Sequence, residues 1–130
     1  MTPELRDLAR RAVAIKGWRW MPGMRWCLPC GTTGRIIGDS PSAHLLAEGW
    51  PDLSDPATIG CLLALVRKAW GMTVWVRLWA DPQPDMSGRF RGGWEPVDGL
   101  GRRLIAGPRA FFDTEAEALV AALEAAGGER

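Results

Sequence analysis

Apolar residues recur at three- and four-residue spacing in three parts of the chain, and between those parts the pattern alternates or breaks at glycine and proline. Leu5, Leu8, Ala9, Ala12 and Val13 predict a first helix, with Thr2 as its cap, Pro3 in its first turn and Gly17 as its stop. Ile59, Leu62, Leu63, Val66 and Trp70 form a broader stripe after Asp55 and Pro56. Arg67 and Lys68 fall at the negative end of that helix dipole, and Gly71 closes it. Thr114 with Glu117 three residues later reads as a capping box, and Leu119, Val120 and Leu123 give the last helix its buried side before it frays at Gly127 and Gly128.

Strands are expected where branched and aromatic residues gather. "MTVWVRLWA" is apolar on both faces except for Arg77, as a covered strand would be, and it ends at Asp81. Short strands are also expected at Arg35–Gly38 and in "GRRLIAG", while residues 39–53 read as a connection with one helical turn. Residues 81–101 form a long loop rich in Gly, Pro and Arg, with at most one short strand around Arg89–Phe90 or Trp94–Val97. The expected fold is α+β: one domain over residues 1–130, a small and mostly antiparallel sheet covered by helices. The order is α-β-β-α-β-β-β-α, an α/β/α sandwich.

The stretch "WRWMPGMRW", Trp18–Trp26, reads as a hairpin about Pro22–Gly23. A two-residue turn would set Trp20 opposite Arg25 and mix charge into both faces, but it needs a positive φ that an L-proline cannot adopt. A longer connection sets Trp20 opposite Trp26 and Trp18 opposite Leu28, which makes one face wholly apolar. The tryptophans are then structural, and Arg19 and Arg25 project from the other face as candidates for ligand contact.

Charge changes this picture only locally. The formal net charge is +1, yet residues 86–112 carry Arg89, Arg91, Arg102, Arg103 and Arg109 against Glu95 and Asp98, and residues 113–130 are acidic. A general polyanion binder would be more basic, so nucleic acid is an unlikely partner. Fourteen arginines against two lysines suit bidentate or stacked contacts, although genomic composition gives the same bias. No apolar run is long enough to span a bilayer, and the first residues hold no secretory signal. The expected location is therefore the cytoplasm, with reduced cysteines.

Catalytic constellations are missing from the pattern. His44 is the only histidine, the serines lack a nucleophile-elbow context, and the glycines follow neither a P-loop nor a dinucleotide fingerprint, so the expectation is a non-enzyme with no cofactor. Cys27 and Cys30 form a lone C-x-x-C. With His44 and Cys61 they are weak candidates for zinc, because a second close pair is lacking and Cys61 falls in a helix stripe. "SGRFRGGWEP" is more suggestive. Arg89 and Arg91 flank an aromatic, Trp94 offers a stacking surface, Arg102 and Arg103 follow, and Arg77 and Trp79 end the preceding strand. Together they suit an anionic ligand with an aromatic base, the alternative being a solvated loop.

Three segments, "LARRAVAIKGWRW", "PDLSDPATIGCLLALVRKAWG" followed by a Trp-bearing strand, and "FFDTEAEALVAALEAA", resemble the phage ABA sandwich domain, a family of small bacteriophage proteins. The resemblance spares "CLPCGTTG" and the 81–101 loop and rests on core and capping residues. It implies a phage accessory protein acting inside a bacterium, and it transfers no catalytic residue. In that context the expected function is a sponge that sequesters a nucleotide immune signal, cyclic or ADP-ribose-derived, often at a homo-oligomer interface. The alternative is an inhibitor of a host defence protein such as a CRISPR or nuclease effector, through the acidic helix bearing Glu115, Glu117 and Glu124.

Overall fold

Each predicted cap starts a helix. A computed structural model of the chain describes residues 2–38, 48–71, 75–80, 92–104 and 112–128. Thr2 Oγ1 accepts from the Leu5 N–H and opens α1, Pro3–Val13. Asp55 accepts from the Thr58 N–H and opens α2, Pro56–Trp70, which Gly71 closes at φ +97°. Thr114 Oγ1 accepts from the Glu117 N–H and opens α3, Glu115–Gly128. These signals are local, which is why they survive into the fold.

The strands form two small antiparallel sheets. One has the order β2-β1-β3, from β1 Arg25–Cys27, β2 Thr33–Arg35 and β3 Trp50–Pro51; the other pairs β4 Trp75–Ala80 with β5 Gly92–Val97. The α+β class is as expected, but the order among the described residues is α-β-β-β-α-β-β-α and the strands do not share one sheet. β3 falls in the segment read as a connection: two residues carry no visible period, and Pro51 has no N–H with which to extend a ladder. The strand expected in "GRRLIAG" is reduced to a bridge between Arg103 and Val97, and residues 105–107 lie outside the described residues.

The hairpin also moves. β1 pairs with β2, Trp26 facing Gly34 and Arg25 facing Arg35, while Trp18–Met21 form no strand. The expected facing of Trp20 with Trp26, and of Trp18 with Leu28, is therefore corrected. The chain reverses at Leu28–Thr32, where Gly31 donates to the Leu28 carbonyl at 2.9 Å and takes φ +92°. This is a proline-initiated turn with a left-handed glycine. Pro22–Gly23 instead leads into the ladder, the Gly23 N–H donating to the Ile36 carbonyl.

Most of the core lies among the helices. Leu8, Ala9 and Ala12 of α1, Leu62 and Val66 of α2, and Leu119, Val120 and Leu123 of α3 are buried together, joined by Trp50 of β3 and Val76 of β4. The Trp70 indole N–H donates to the Ala122 carbonyl at 3.0 Å and ties the end of α2 to α3. A second cluster, Met24, Ile36 and Leu65, is covered by Trp18, Trp20, Met21, Trp26 and Leu28. The tryptophans of the opening stretch are thus structural, Trp18 and Trp20 meeting edge to face at 5.5 Å.

Candidate functional site

The β4–β5 ribbon has two faces set by its register. Leu78 faces Trp94, and both pack on the helical core, Trp94 lying 5.4 Å from Trp70. Trp94 is thereby spent on packing. Alternation puts Arg77 and Trp79 on the opposite face with their partners Glu95 and Gly93.

On that face a buried carboxylate carries two guanidinium groups. Glu95 is 2% exposed; its Oε1 accepts from Arg77 Nε at 2.7 Å and Nη2 at 2.6 Å, and its Oε2 lies 2.9 Å from Arg103 Nε. A carboxylate at this depth needs opposite charge, and two arginines supply it. Arg103 reaches Glu95 because its backbone bridges Val97 at the end of β5. Sequence reasoning missed Glu95, which enters there only as a charge to be counted. The one available signal is an acidic residue at a strand position otherwise flanked by apolar ones.

The other candidates are dispersed. Arg102 Nε donates to Asp98 Oδ2, while Asp98 Oδ1 accepts from both the Leu100 and Arg102 N–H groups, and the carboxyl is held below its ordinary range chiefly by the Arg102 N–H. Arg25 reaches Asp52 at 3.5 Å and Thr33 at 3.2 Å, and Arg19 is exposed. Arg89, Arg91 and His44 lie outside the described residues. The constellation of Arg77, Trp79, Trp94, Arg102 and Arg103 therefore converges only in part, on Glu95.

The C-x-x-C pair separates. Cys27 packs against the main core, where burial pushes its thiol up, and Cys30 sits on the exposed turn, hydrogen-bonded to Thr32 at 3.2 Å. Among the described residues no three His, Cys, Asp or Glu side chains gather where a metal ion would bind, and no helix is long and apolar enough to cross a membrane.

A concavity of about 270 Å³ opens between α1 and the start of α3, lined by Glu4, Asp7, Leu8, Arg11, Phe112 and Glu117. Its three carboxylates outnumber the one guanidinium, and Arg11 is itself paired with Glu124. Comparison with family models, with curated proteins and with solved structures gave no match.

Proposed function

We propose that this chain is a non-enzymatic binding protein that sequesters a small nucleotide, cyclic or ADP-ribose-derived, against the outer face of the β4–β5 ribbon. One relationship supports the reading: Arg77 and Arg103 are held side by side on the buried carboxylate of Glu95. Arms already fixed lose little freedom when they take a phosphate. Arg77 Nη1 has no partner among the described residues.

The test incubates the purified protein with cyclic dinucleotides, cyclic ADP-ribose isomers and NAD-derived nucleotides, then releases bound material by heat and identifies it by mass. One of these returned intact, and lost in Arg77→Ala, is the expected result; retention of none of them overturns the reading. Native mass measurement on the same samples shows whether ligand is taken by a monomer or a homo-oligomer.

A second reading, an inhibitor that covers a basic surface of another protein, is favoured by the carboxylates of Glu4, Asp7 and Glu117 around one concavity. It requires binding that weakens steeply with salt and that Glu117→Lys removes.

A further inference from the structure

Arg6 and Arg10 lie one turn apart on α1, both exposed, and both guanidinium carbons stand over the same indole. They are 5.3 and 5.5 Å from the ring centroid of Trp50. Trp50 itself is only 6% exposed, held in β3 opposite Cys27 and against the main core. A fixed ring thus attracts two flexible cationic side chains at once.

Arg6 and Arg10 share one ring and also lack a counter-charge. Arg11, Arg25, Arg35, Arg77, Arg102 and Arg103 each have a carboxylate within 3.5 Å, whereas Arg6 and Arg10 have none among the described residues. Like charges at this helical spacing repel. The acidic residues of α1, Glu4 and Asp7, share another face of the helix with Leu8 and Arg11, in the concavity already described. Beneath the pair, the Trp50 Nε1 is buried without a hydrogen-bond partner among the described residues.

Cation–π attraction to a ring uses none of a guanidinium's N–H donors, which stay available for the forked contacts through which arginine takes phosphate. We propose that Arg6 and Arg10, seated on Trp50, form a phosphate-binding site separate from the ribbon. An oxyanion bridging the two forks would neutralise a pair of charges that the described residues leave unmatched. The phosphate is either the free ion or the terminal phosphomonoester of a nucleotide, and the chemistry of capture is the same.

The experiment follows the arginine Nε–H and tryptophan Nε1–H resonances of the full chain by ¹H–¹⁵N spectroscopy. Inorganic phosphate and 5′-AMP are titrated separately at constant ionic strength, with chloride as the control. Saturable shifts at Arg6, Arg10 and Trp50 are expected, abolished in R6Q/R10Q and at least tenfold weaker in R6K/R10K, which keeps charge but loses the fork. Both positions are exposed, and an unchanged melting profile shows that the variants fold. Saturation by 5′-AMP at lower concentration than phosphate assigns the source to a nucleotide, and equal saturation assigns it to the free ion. Shifts no larger than those from chloride, or undiminished in R6Q/R10Q, overturn the proposal. So does their loss in R77Q, because the ligand would then belong to the ribbon.

Discussion

The indole of Trp26 lies against the backbone of Gly34, its partner across the β1–β2 hairpin, so closely that a Cβ at position 34 would stand 2.7 Å from the ring carbon Cε2. The ring cannot swing freely, because it also packs on Met24, Ile36 and Leu65. Gly34→Ala should destabilise the protein by about 1–3 kcal/mol, the usual cost of overpacking. The cost should shrink to a few tenths in a Trp26→Leu background, measured as a double-mutant cycle by urea unfolding. An equal cost in both backgrounds would mean that the ring is not the cause.

A second prediction concerns acid. The Arg35 guanidinium, bidentate on Asp55, holds that carboxyl well below the usual carboxylate range, helped by the Thr58 N–H and hydroxyl. A depressed folded value stabilises fully above the unfolded value of about 3.9, and the stabilisation declines below it and is lost as pH falls through the lower folded value. Asp55→Ala should therefore cost about 1–2 kcal/mol at pH 7, the price of a lost helix cap. The gap between variant and wild type should narrow, without closing, as unfolding is repeated from pH 5 to pH 2.5; a gap independent of pH would contradict the ion pair.

Removing Glu95 should be worse than removing either arginine. Glu95→Gln leaves two guanidinium groups without their carboxylate at a buried position, at about 2–4 kcal/mol, below the full cost of a broken buried pair because Arg77 is half exposed. Arg77→Ala leaves Arg103 in place and should cost about 1 kcal/mol. Thermal unfolding of both variants decides the order, and a larger loss for Arg77→Ala would show that the carboxylate is not the hub.

The three thiols should react in a fixed order. Cys30 is exposed, and its hydrogen bonds from the Thr32 hydroxyl and N–H hold its thiol below the ordinary range, while burial raises Cys27 and Cys61. At pH 7.5 a disulfide reagent such as dithionitrobenzoate should label Cys30 at least tenfold faster than the other two, since the thiolate is the attacking form. Thr32→Val should slow that first phase. Peptide mapping of the labelled site checks the assignment, and first labelling at Cys61 would overturn it.

How far the sequence could be read depends on distance along the chain. Thr2, Asp55 and Thr114 bond to residues three positions on, so their patterns reveal them. The hairpin offers two proline-initiated reversals, Pro22–Gly23 and Pro29–Gly31, and local chemistry permits both. The choice is made by β3, whose Trp50 and Pro51 pair with Cys27 and Trp26 from more than twenty residues away. The site obeys the same limit. Arg77 and Arg103 were visible as cations, but the glutamate that gathers them stands 18 residues from Arg77, and the indole beneath Arg6 and Arg10 lies 40 residues past the second of them. Paired and unpaired arginines look alike until the carboxylates are in place.

Helix α3 supplies Ala116, Leu119, Val120, Ala122, Leu123 and Ala126 to the main core, and α1 and α2 both lean on it. During synthesis, more than a hundred residues emerge before this wedge does, and until then the apolar stripes of Leu8–Ala12 and Leu62–Val66 have only Trp50, Leu53, Trp70 and Val76 of that core to close against. The core is completed only when residues 115–128 have left the ribosome, and a nascent chain halted short of them would expose the apolar sides of both earlier helices.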